Sequence, residues 1–147
     1  MQETAVELGK NALLFDEFFV REMEKGNITS EQFTREKREI KLHAHCQQKA
    51  VASSLSTRQM LGLPENYTVQ ELKTGCCGMA GSFGYEKEHY DLSMQIGEMV
   101  LFPEVRKSAE SVTIVAPGTS CRHHIKDGTG KTAIHPIEVM FEAVIKE

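Results

Sequence analysis

Val112-Thr113-Ile114-Val115-Ala116-Pro117-Gly118-Thr119-Ser120-Cys121 carries a strand, a turn and a cysteine in close succession. Val112 to Ala116 is an unbroken apolar and β-branched run, so it reads as a strand buried on both faces. Pro117 and Gly118 end it, and a cysteine follows. The same order recurs upstream. Glu39-Ile40-Lys41-Leu42-His43-Ala44 reads as a strand running into His45-Cys46. Tyr67 to Leu72 alternates apolar and polar residues and runs into Gly75-Cys76-Cys77-Gly78. Downstream, Thr132-Ala133-Ile134 reads as a short fourth strand followed by His135-Pro136.

Helical patterns fill the intervals. Lys49 to Leu61 places Val51, Leu55 and Leu61 near one face and ends at Gly62 and Pro64. Tyr85 to Phe102 spaces Leu92, Ile96, Met99 and Val100 helically, with Pro103 as the stop. Pro136 suits the first position of a last helix holding Ile137, Met140, Phe141 and Val144. At the amino end, residues 4–25 read as one helix with Leu8, Leu14, Phe15, Phe18, Phe19 and Met23 mostly on one face. Thr29 and Gln32 form a capping-box pattern for a short helix near Phe33.

Strands alternating with helices imply βαβ units and a parallel sheet. The expected fold is α/β, with about four parallel strands alternating with helices in a Rossmann-like three-layer arrangement, preceded by N-terminal helices. Residues 1–34 are then a helical lead-in and residues 35–147 the β-α units of a single domain.

The balance of 40% hydrophobic and 26% charged residues suits a soluble globular chain. A formal charge of -4 gives no basic footprint for nucleic acid, and no such partner is expected. No apolar run is long enough for a transmembrane segment. Met1 to Leu8 has neither the basic nor the apolar region of a secretory signal. The expected location is cytoplasmic, where four reduced cysteines favour metal binding or catalysis over disulfides.

The loops after the strands of a parallel sheet open on one edge, and ligands bind beyond those carboxyl ends. Cys46, Cys76, Cys77, Cys121 and His135 all fall there. Thiolates are soft ligands for iron, zinc or copper. Adjacent Cys76 and Cys77, in a loop punctuated by Gly75, Gly78, Gly81 and Gly84, make poor core filler. That glycine spacing matches neither the dinucleotide fingerprint nor a P-loop. Alternation along the first strand puts His43 and His45 on one face and Cys46 on the other. Both histidines read as hydrogen-bonded groups at a strand end, with His45 kept as a candidate ligand. Cys121-Arg122-His123-His124 has Cys-x-x-His spacing, so His124 is either a ligand or a surface residue of the next helix.

These residues carry a family resemblance. His45-Cys46-Gln47-Gln48-Lys49-Ala50, Gly75 through Tyr85 with its Cys-Cys-Gly core, Ala116 through Arg122, and His135-Pro136 together resemble the cysteine-rich CCG domain. Leu13 to Phe18 looks like that family's lead-in. Such domains occur in heterodisulfide-reductase-type subunits, in glycolate-oxidase and glycerol-3-phosphate-dehydrogenase iron–sulfur subunits, and at the carboxyl end of large FAD-linked oxidases. The last branch resembles this chain most. The resemblance implies that Cys46, Cys76, Cys77 and Cys121 ligate an iron–sulfur cluster, of 4Fe-4S type, or a zinc. His124 stands where the family pattern has a further cysteine, and with His45 and His135 it is a supplementary candidate ligand.

The implied role is electron transfer within an FAD-linked oxidoreductase acting on a 2-hydroxy acid or similar substrate. The chain would be its C-terminal part, with FAD on another domain. The implied partners are the flavin and ferredoxin-like domains of the same enzyme, and peripheral membrane association of the whole is compatible with this. Two other readings stand beside it: a zinc-binding structural or docking module, and a metal-free dithiol domain using Cys76 and Cys77.

Overall fold

The computed structural model describes residues 2–146. Its centre is a three-stranded parallel sheet: β1 (Arg38–Leu42), β2 (Tyr67–Glu71) and β3 (Thr113–Val115), in the order β2-β1-β3. Ile40 pairs with Val69 on one side and with Thr113 on the other. Eight α-helices accompany the sheet among the described residues: α1 (Gln2–Asn11), α2 (Phe15–Glu24), α3 (Cys46–Val51), α4 (Leu55–Leu61), α5 (Tyr90–Met99), α6 (Leu101–Arg106), α7 (Thr119–Thr129) and α8 (Pro136–Ala143).

The sheet is covered on both faces. Ile40, Leu42 and Val115 pack with Phe19 of α2, Met60 and Leu61 of α4, and Val139, Met140 and Ala143 of α8. Ile114 and Ala116 face the other way, onto Leu101, Phe102 and Val105 of α6 and Ile125 of α7. Successive side chains of a strand point to opposite faces, so a run apolar at every position serves two cores at once. This is consistent with the α/β class that the alternation implies.

The expected fourth strand is reduced to one residue. Ile134 makes a single parallel bridge to Val115, held by Ile134 N donating to Ile114 O and Ala116 N to Ile134 O, both 3.0 Å. Gly130, at φ +74°, closes α7 just before it, and Pro136 opens α8 just after, leaving no room for a longer strand.

Three expected helices are broken. The first splits at Leu14, whose extended backbone (ψ 155°) begins α2 and whose N–H donates to Glu17 Oε2 at 2.8 Å. Of its expected core face only Phe19 is buried; Leu8, Leu14, Phe15 and Phe18 are exposed. The second splits after Val51, at an extended Ala52. The third splits at Val100 (φ -145°). Pro103 does not end a helix but sits in the first turn of α6, where its missing N–H would have had no partner anyway. The short helix near Phe33 is a 3-10 turn, Ser30–Gln32, with Gln32 Oε1 accepting from Thr29 N at 2.8 Å. Among the described residues no helix is long and apolar enough to cross a membrane.

Candidate metal centre

The strand order places β2 and β3 on opposite sides of β1. Chain connections therefore leave the sheet in opposite directions at β1 and β3, and the crevice beyond their carboxyl ends is the natural ligand position. Two features stand there: a cluster of sulfurs and a cavity.

The sulfurs form two close pairs from three loops. Cys77 Sγ lies 3.3 Å from Cys121 Sγ, and Cys46 Sγ lies 4.0 Å from Cys76 Sγ. The sequence neighbours Cys76 and Cys77 thus each pair with a cysteine of another loop. Cys46 opens α3 directly after β1, and Cys121 lies in the first turn of α7 after β3. Gly78, at φ +110°, turns the chain after the cysteine pair, and its N–H donates to Cys76 Sγ at 3.4 Å. A Cβ on Gly78 would collide with the Ser93 carbonyl, so only glycine fits this turn. Cys77 and Cys121 are buried, Cys46 is half-buried and Cys76 is exposed.

The two buried thiols are electrostatically unlike. Cys121 donates to Cys77, which holds the Cys77 pKa down at about 4 against the effect of burial, and the His43 ring lowers it further. Cys121 keeps the shared proton and is pushed upward, by that bond first and by burial second. Cys46 is also raised, chiefly by burial and next by Cys76. A buried thiolate beside a thiol is a ready metal-binding pair, because ligation requires the deprotonated form.

His43 is a residue for which the sequence favoured a hydrogen-bonded role over a ligand role. Read as a hydrogen-bonded strand-end histidine, it is that at one nitrogen: Nδ1 lies 2.7 Å from Thr74 Oγ1. Its other nitrogen, Nε2, is buried without a hydrogen-bond partner. His43, Cys77 and Cys121 each offer one ligand atom, all within 4.8 Å of one another. Its backbone N–H still donates to Val115 O, so the ladder runs one residue past β1.

Of the three histidines kept as candidate ligands, His124 and His135 bond away from the sulfurs, while His45 sits beside Cys121 across Gly118. His124 is buried in α7, but its Nε2 lies 3.1 Å from Ser93 O and its ring packs on Phe102 with centroids 4.9 Å apart. Its Nε2 is therefore directed at α5, not at the sulfur pairs. His45 precedes α3 and leans on Gly118; a Cβ there would lie 2.5 Å from His45 Cδ2 and 3.0 Å from Cys121 Sγ. Alternation would have put His43 and His45 on one face; the chain leaves the strand between them and separates them. His135 caps α8, its Nδ1 accepting from Ile137 N at 3.2 Å while Glu138 Oε1 accepts from His135 N at 3.0 Å.

His45 and His135 instead line the neighbouring cavity, about 400 Å³, with Leu14, Phe15, Val51 and Ile137. A buried polar knot adjoins it: the Asp16 carboxyl accepts from Thr57 Oγ1 and, at 3.0 Å, from Gln48 Nε2.

No protein-family model and no solved structure matches the chain. Among curated proteins it is similar to D-2-hydroxyglutarate dehydrogenase of Pseudomonas putida, 36% identical over 109 residues, covering 70% of this chain and 10% of that protein. It is also similar to D-2-hydroxyglutarate dehydrogenase of Pantoea ananatis, 30% identical over 76 residues, covering 52% and 7%. A subunit of the anaerobic glycerol-3-phosphate dehydrogenase of Escherichia coli strain K12 is 28% identical over 102 residues, covering 69% and 25%. The chain thus spans no more than a quarter of the length of these curated relatives. It is homologous to subunits or segments of dehydrogenases.

Proposed function

We propose that this chain is the electron-transfer part of a larger dehydrogenase, and that Cys46, Cys76, Cys77 and Cys121 hold an iron–sulfur cluster of 4Fe-4S type. The observation that carries the reading is the convergence of four sulfurs, in pairs of 3.3 and 4.0 Å, at the carboxyl edge of one parallel sheet. The donor set fits the group: four soft sulfurs, one already favoured as thiolate, backed by glycines that let the backbone approach. When bound, such a cluster supplies reversible one-electron uptake and release. The chain's residues supply an asymmetric mount. Cys77 and Cys121 anchor the buried side, while exposed Cys76 and half-buried Cys46 leave a side open to an electron partner.

The flavin and substrate sites then lie on other parts of the whole protein, as the small share of each relative covered by this chain suggests. The relatives' names favour a 2-hydroxy acid or a similar alcohol as the reductant. FAD on a separate domain, with a ferredoxin-like domain between, completes the reading. A second reading, a zinc-binding structural module, is favoured by one observation: Cys77, Cys121 and His43 offer sulfur and nitrogen at the close spacing a tetrahedral zinc site uses.

Iron, zinc and acid-labile sulfide content of protein purified without oxygen, with its visible spectrum, tests both. The electron-transfer reading expects iron and sulfide together and loss of the visible absorbance in Cys77→Ser. One zinc per chain without sulfide overturns it in favour of the structural module.

A further inference from the structure

The two ring nitrogens of fully buried His43 face different chemistry. Nδ1 meets the Thr74 hydroxyl; Nε2 is buried without a hydrogen-bond partner, and the ring shares a close group with Cys77 and Cys121. Thr74 is itself buried, and among the described residues the side-chain hydrogen bond of its hydroxyl is the one to His43. A buried hydroxyl hydrogen needs an acceptor. If Nδ1 carried the ring proton, it would donate to Thr74 Oγ1 and strand the hydroxyl hydrogen. With Thr74 donating, Nδ1 is the bare nitrogen of a neutral ring, and the proton resides on the unpartnered Nε2.

We propose that His43, oriented by the Thr74 hydroxyl, donates its Nε2–H to the sulfur of Cys77, as a positioning residue of the cysteine site and not one of its ligands. Of the two neighbouring sulfurs, Cys77 is the one within side-chain hydrogen-bonding reach of His43. An N–H aimed at sulfur stabilises most the state with most negative charge on that sulfur. In a redox centre that is the reduced state, so the bond raises the midpoint potential. This last consequence rests on the electron-transfer reading; the hydrogen bond does not.

Long-range proton–nitrogen correlation spectra of the imidazole rings, recorded on metal-free reduced protein and on zinc-loaded protein, test the bond directly. His43→Gln identifies the His43 signals. The expected result in both samples is a protonated Nε2 and a bare Nδ1, and Thr74→Val should bring in the other tautomer. A proton on Nδ1 with Nε2 bound to zinc overturns the proposal and makes His43 a ligand.

In cluster-loaded protein, His43→Phe should keep its iron and sulfide and lower the midpoint potential. The expected size is about a tenfold change in the oxidised-to-reduced ratio at fixed potential, 59 mV for a one-electron couple. His43→Gln, which retains an amide N–H, should recover part of that shift; it also serves if the phenylalanine variant does not fold. An unchanged potential with full metal content, or metal loss in a folded His43→Phe that glutamine does not restore, overturns the proposal. Wild-type protein lacking any redox metal would sink the electron-transfer reading alone, since the ring spectra still decide the tautomer.

Discussion

The His45 ring fills the space that a side chain at Gly118 would need, since a Cβ there would lie 2.5 Å from His45 Cδ2. The same Cβ would press on Cys121 Sγ at 3.0 Å. Gly118 has an ordinary extended backbone (φ -72°), so its role is spatial and not conformational. Gly118→Ala should cost about 1–3 kcal/mol by overpacking, and the displaced Cys121 should lower metal content in parallel. Denaturant titration and metal analysis of the variant check this; an unchanged protein on both measures contradicts it.

Phe102 locks three helices together. It is fully buried, a Cβ on Gly97 of α5 or Gly128 of α7 would overlap its ring, and His124 packs against it. Phe102→Ala should therefore destabilise the fold by about 3–5 kcal/mol, the range for deleting a buried aromatic ring. Equilibrium unfolding in urea gives the value, and a loss below ~1 kcal/mol would show that the helices close over the cavity.

Thr57 on α4 donates to the buried Asp16 carboxyl on α2, and Gln48 of α3 donates to both. Thr57→Val keeps the shape and removes the donor. Leaving a buried acceptor short of one bond costs about 1–3 kcal/mol. The amides of α2 should exchange faster with solvent hydrogen in this variant, while those of β3 lose only what global stability loses. Equal acceleration everywhere would mean that α2 does not open on its own.

His135 should make the fold acid-sensitive. Burial first, and the nearby positive Arg122 second, hold its pKa below the ordinary value of 6.5. The unfolded chain then binds this proton more readily than the folded chain does. Stability from this group is complete above the ordinary pKa and declines as pH falls through the lowered one. Protonation also removes the lone pair that accepts from Ile137 N. The denaturation midpoint should fall from about pH 7 to pH 5 in the wild type and fall less in His135→Asn, which keeps a capping oxygen. Equal slopes in the two proteins would exclude His135 as the source.

Much of the fold was legible because single strands announce themselves. Val112 to Ala116 is apolar or β-branched throughout, and Ile114, Val115 and Ala116 are buried on alternate faces, while Pro136 marks the start of α8 in its own residue type. The break at Val100 was not legible, because its cause is tertiary. Val100 bends so that Phe102 can enter the gap between Gly97 and Gly128, and no local pattern encodes that.

The candidate site divides in the same way. Chain order alone puts four cysteines after three strands. Which sulfurs meet depends on loop geometry: Cys77 reaches Cys121, not its neighbour Cys76. His43 was hidden because alternation cannot tell where a strand stops, and the ladder carries on through His43 N to Val115 O before the chain turns away at His45.

Each of the three strands sends a cysteine-bearing loop off the same end of the sheet. A group gripped by all four sulfurs would tie those three strand ends into one knot, closing loops whose paired cysteines stand 30 and 44 positions apart in the chain. Closing such loops lowers the entropy of the unfolded chain and leaves the folded one untouched. The cargo of this domain would then double as its buckle: the colour of a loaded sample would report whether the sheet is fastened, and bleaching it would loosen the fold from that end first.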